Sequence, residues 1–74
     1  MTSPNISNQV IQIIQATNLP VEIDSSSAFK VRGFFQGCDV VISANHCLQQ
    51  VSIVSRSFRG HKEYSYPAFI QHFA

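Results

Sequence analysis

The sequence predicts an α+β domain: a small antiparallel sheet of three to five strands packed against an N-terminal helix, with a short C-terminal helix. Three observations lead there. An apolar stripe at helical spacing occupies the first segment, period-two alternation runs through the middle, and an apolar cluster follows Pro67 near the end. A chain of 74 residues has room for one such domain, spanning 1–74, and for nothing larger.

The first helix runs from Pro4 to Thr17. Ser3 supplies a capping hydroxyl, and Pro4 at the first helical position loses nothing by lacking an N–H. On a helical wheel Ile6, Val10, Ile13, Ile14 and Thr17 fall in one stripe, while Asn8, Gln12 and Gln15 face away. Leu19-Pro20 stops the helix after Asn18, because the residue before a proline is driven out of the helical region.

The middle reads as strands. Val21 to Asp24 alternates briefly, as an edge strand or an extended arm, and meets a flexible turn at Ser25-Ser26-Ser27. From Ala28 to Phe35 the side chains divide into Phe29, Val31, Gly33 and Phe35 on one face and Ala28, Lys30, Arg32 and Phe34 on the other. Gln36-Gly37 makes a two-residue connection, with glycine free to turn left-handed. Cys38 to Ala44 follows, with Cys38, Val40, Ile42 and Ala44 inward. After a turn at Asn45-His46, Cys47 to Ser57 is the third clear strand, with Leu48 and Val54 on its reverse. A loop at Phe58-Arg59-Gly60-His61 leads to a short strand from Lys62 to Tyr66. Pro67 then opens the terminal helical turn carrying Phe69, Ile70 and Phe73.

Composition narrows the function classes. Apolar runs are four residues or fewer, which excludes a helical membrane span. Only 12% of residues are charged, against about 25% in ordinary domains, and the net charge of +1 is too small to gather a polyanion from a distance. Sparse charge protects a surface poorly against association. Met1 leads into Thr2-Ser3-Pro4-Asn5 without a basic or apolar leader, so a cytoplasmic setting with Cys38 and Cys47 as free thiols is expected.

No constellation reads as catalytic. Cys38, His46, Cys47, His61 and His72 lack the close-pair spacing of zinc sites, so neither a metal nor another cofactor is expected. Glu22, Asp24, Asp39 and Glu63 are scattered, and Gly33, Gly37 and Gly60 form no phosphate loop. A fold this small is expected to leave little room for a pocket of several hundred Å³. The chain therefore reads as non-enzymatic.

Two binding readings stand. Phe34, Val41, Leu48 and Val54 lie opposite the expected core face and would form an exposed apolar patch. They are the candidate interface of a protein-interaction or regulatory module that pairs with another protein or with itself as a homodimer. The alternative is single-stranded nucleic acid stacked on Phe34 and Phe58 and neutralised by Lys30, Arg32, Arg56, Arg59 and Lys62. The near balance of five basic and four acidic residues weighs against it.

Overall fold

The computed structural model describes residues 6–35, 37–55 and 61–73. Helix α1 (Ile6–Gln15) is followed by five strands, β1 (Val21–Asp24), β2 (Ala28–Phe35), β3 (Cys38–Asn45), β4 (Gln50–Ser55) and β5 (His61–Ser65), and by helix α2 (Tyr66–Phe73). The strands form one antiparallel sheet in the order β1-β2-β3-β4-β5, each paired with its neighbours in sequence. The α+β class, a leading helix and a terminal helix are as the sequence predicts; α1 ends at Gln15 rather than Thr17, and its predicted cap and start, Ser3 and Pro4, lie outside the described residues.

Period two decides the faces. Phe29, Val31, Ala44 and Val51 point inward and are buried beneath Val10 and Ile14 of α1 and Tyr66 and Phe69 of α2. Val10 and Ile14 are the centre of the predicted helical stripe, and neither is exposed. The helix ends with Asn18 at φ 60°, a left-handed position that asparagine tolerates. Thr17 Oγ1 and the Thr17 N–H both donate to the Ile14 carbonyl, at 2.6 and 3.1 Å, closing the last turn. The chain then crosses β2 at Gly33, where an added Cβ would lie 3.1 Å from both Leu19 Cδ2 and Pro20 Cδ. Glycine lets the two segments approach closely there, and Arg32 N–H donates to the Pro20 carbonyl at 3.1 Å across the crossing.

The turns differ from expectation in instructive ways. Ser25 is not part of a loose tract. Its Oγ accepts from the N–H groups of Ser27 and Ala28 at 3.3 and 3.1 Å, while its own N–H donates to the Ala28 carbonyl at 2.8 Å. Val21–Asp24 is a paired edge strand, with an irregularity between Val21 and Ile23 that twists the edge. Gly37 has φ 80°, as its place in the β2–β3 connection requires.

The third predicted strand begins too early. Cys47 and Leu48 belong to a turn, 46–49, and β4 starts at Gln50. The Asn45 side chain accepts from the N–H groups of Cys47 and Leu48 at 3.0 and 3.1 Å, and Gln49 takes φ 52° to re-enter the sheet. The predicted end of that strand, 56–57, lies outside the described residues. Tyr66 likewise leaves the last strand and opens α2. Ser65 Oγ accepts from the Ala68 N–H at 3.4 Å as a cap, and Pro67 is accommodated in the first turn.

Tyr66 joins the two ends of this arrangement. Its side chain is fully buried, its N–H donates to the Gln49 carbonyl at 2.9 Å, and its hydroxyl is 2.6 Å from His46 Nδ1. Burial pushes the Tyr66 phenol pKa up, with the neighbouring Cys47 adding to the rise.

Candidate functional site

Element lengths decide where the sheet is covered. Strands β2 and β3, eight residues each, are about 26 Å long, whereas α1 and α2 reach only about 15 and 12 Å. Two short helices beside one another cannot cover such a face. The half of the sheet toward the β2–β3 connection is left as an open apolar groove of about 600 Å³.

The floor of the groove is β-sheet: Val40, Ile42, Ile53 and Ser55. One wall is the end of α1 with its exit, Ile13, Ile14, Thr17 and Leu19; the other is Phe69, His72 and Phe73 of α2. Ser55 and Ile42 are buried, whereas Phe35, Lys62, His72 and Phe73 are exposed and therefore form the rim. A volume of several hundred Å³ is the size of a small-molecule site, so the expectation that this fold leaves little room for one is wrong. The reason is geometric: the groove is uncovered sheet, not a hole excavated from the core.

Aromatic packing stiffens the rim. Tyr64 stacks on His72 with centroids 5.7 Å apart and meets Phe73 edge-on at 5.5 Å; Phe73 in turn packs on Phe69 at 4.7 Å. Lys62 precedes Tyr64 by two residues and so shares its face, about 7 Å along the strand. Lys62 and His72 are thus both near Tyr64 at the rim.

The four carboxylates stand elsewhere. Glu22 pairs with Lys30 at 3.2 Å, Asp39 approaches Arg32 at 4.0 Å and Glu63 approaches His61 at 3.6 Å, all on the outward side of the sheet, and Asp24 lies on β1. None of these four side chains is among the described residues that line the groove. Such exposed pairs contribute little to stability, about 0–1 kcal/mol.

The outward face holds the sequence-predicted interface residues in part. Arg32, Val41, Val54 and His61 form one cross-strand row, and Phe34, opposite Asp39, lies diagonal to Val41. Phe34 is 76% exposed and Val54 45% exposed. Leu48, also exposed, is not brought to them. It sits on the 46–49 turn, beyond rows containing Lys30, Ser43, Ser52 and Glu63 and then Ala28, Asn45, Gln50 and Ser65. Among the described residues, the predicted interface set is therefore reduced to Phe34, Val41 and Val54 at one end.

The basic set is also divided. Lys30 and Arg32 are outward beside Phe34, Lys62 is inward, and Arg56, Phe58 and Arg59 lie outside the described residues. Cys38 lines the groove and Cys47 sits on the turn beyond the far end of β3, about 20 Å away, too far to be bridged. Among the described residues no three metal-ligating side chains converge, and no helix is long and apolar enough to cross a membrane. Comparison with protein-family models, curated proteins and solved structures finds no match to the chain.

Proposed function

We propose that this protein is a non-enzymatic binding module whose working surface is the groove between its two helices and the uncovered half of its sheet. The observation that carries the reading is that nine of the fifteen described lining side chains are Val, Ile, Leu or Phe, in a groove of about 600 Å³ open to solvent. Apolar surface left accessible in a chain with this little core is stabilised by an occupant. Two thiols that form no bridge, Cys38 on β3 and Cys47 on the turn beyond it, suit a reducing, cytoplasmic setting.

The test is a titration of the protein with naphthalene, an uncharged apolar probe, followed by backbone and methyl NMR. Shifts should concentrate on Ile13, Val40, Ile53 and Phe73, and Val40→Trp, which fills the floor, should abolish them. Absence of saturable shifts would refute the reading.

Self-association is the second reading, and the 76% exposure of Phe34 beside Val41 and Val54 favours it. Sedimentation equilibrium should then give a dimer that Phe34→Ser/Val54→Ser converts to monomer. A nucleic-acid interface receives less support, since Lys30 and Arg32 each face a carboxylate on the same surface.

A further inference from the structure

We infer that the occupant of the groove is a second copy of this chain, the bare ends of two sheets packing face to face about a two-fold axis. The inference rests on the groove being a binding site and names its partner.

Area points to a partner of this kind. A folded monomer of 8.3 kDa exposes about 4,600 Å², whereas this chain exposes 5211 Å². The difference, roughly 600 Å², approaches the roughly 800 Å² that each partner buries in a standard interface. A dimer that buries this excess leaves each copy with the surface of a compact protein of its mass.

Layer geometry supplies the fit. Strands β2 and β3 outrun α1 by about 11 Å, or about three residues of each strand. Stacked sheets lie about 10 Å apart, which is close to the thickness of one helix. The bare end of a second sheet can therefore enter the layer that α1 and α2 already occupy. A two-fold axis lying between the sheets and across the strands reverses face and end together. Each copy's helices then rest beyond the other's β2–β3 connection, and one operation covers both bare ends and closes at two copies.

The side chains suit that arrangement. Phe35 ends β2 on the inward face, is 48% exposed and lines the groove. Opposite a second copy its ring meets Val40 and Ile53 on the other floor, while Phe73 of α2, also exposed, borders the contact. Of the described lining residues only Lys62, on the rim, is an Asp, Glu, Lys or Arg, and interface cores are depleted in such charges. The outward face is a poorer surface for pairing. Glu22, Lys30, Arg32, Asp39 and Glu63 stand on it, and burying their ion pairs carries a desolvation cost.

Sedimentation equilibrium of the full chain over a wide range of concentration should show a monomer–dimer equilibrium. Phe35→Ser should weaken the dimer at least about tenfold, because the symmetric contact loses two rings at once, and Val40→Trp, which fills the floor, should weaken it as much. Phe34→Ser/Val54→Ser alters the outward face and should leave the dimer within about twofold. Phe35 is a rim residue, so at dilutions where both are monomeric the Phe35→Ser variant should melt with the parent. Isotope-filtered NMR on mixed labelled and unlabelled chains should show the Phe35 ring of one copy against the Val40 and Ile53 methyls of the other. Naphthalene should compete for the floor and raise the monomer fraction. A dimer lost with Phe34→Ser/Val54→Ser and kept with Phe35→Ser would move the interface to the outward face and overturn the inference. A monomer at every concentration whose groove takes up naphthalene or decanol would overturn it and leave the groove standing. A monomer that binds neither would overturn both readings.

Discussion

Replacing Tyr66 by phenylalanine removes one oxygen from a fully buried side chain. The ring stays buried and the backbone N–H still donates to the Gln49 carbonyl, so the change isolates the 2.6 Å contact with His46 Nδ1. A net intramolecular hydrogen bond of this kind contributes about 1 kcal/mol, and His46 is only partly buried, so water can satisfy its nitrogen in the variant. Tyr66→Phe should therefore lower stability by about 1 kcal/mol, or about 6 °C in Tm for a chain of this length. A double-mutant cycle with His46→Ala should return most of that as coupling, because both tyrosine and phenylalanine keep the edge-on ring contact with His46, whose centroid lies 6.0 Å away. The pH dependence supplies a second reading of the same oxygen. Burial first, and the nearby Cys47 second, raise the Tyr66 pKa above its ordinary 10.0. A group raised in this direction favours its neutral form in the folded state. Its stabilisation is complete below the unfolded value and is lost as pH climbs through the folded one. The gap between parent and variant should thus be constant up to about pH 9 and narrow above about pH 10. Urea melts followed by circular dichroism across that range measure both quantities. Coupling below about 0.3 kcal/mol, with a gap unchanged at alkaline pH, would refute the Tyr66–His46 clamp.

Two further outcomes follow from the same contacts. Gly33→Ala should destabilise by about 1–3 kcal/mol in chemical melts, since its Cβ would press on Leu19 and Pro20 at 3.1 Å and those atoms are held by the Arg32–Pro20 hydrogen bond; a neutral result would mean that the crossing yields freely. Cys47 on its exposed turn should react with a thiol reagent ahead of Cys38 in the groove, and decanol should slow Cys38 alone; equal protection of both would place the probe elsewhere.

What could be read in advance tracks where local physics decides the outcome. The stripe through Val10 and Ile14 and the alternation from Ala28 to Phe35 each repeat a period often enough to specify an element and a face. Cys47-Leu48 misleads because its apolar residues continue into Val51 and Ile53, and period alone cannot reveal that Asn45 turns its side chain back onto the next two N–H groups. The outward set was legible residue by residue, but its contiguity was not: Val41 and Val54 meet through strand register, while Leu48 is carried off by the turn. The groove had no sequence signal at all. It arises from a mismatch of lengths between helices and strands, a property of the assembled layers, and its lining comes from six of the seven elements and the segment joining α1 to β1.

The strand order also governs how this molecule is assembled in time. Every strand pairs with the one before it, across connections of three, two, four and five residues, so each hairpin zips up with a small loop-closure entropy and needs no partner from afar. Only α1 must return from the opposite end of the chain, to dock beside α2 across a sequence separation of about 60 residues. A sheet of such low contact order forms quickly, and the slowest search is left to one ten-residue helix. That helix supplies a wall of the groove, so the cavity exists only after the last contact of folding is made.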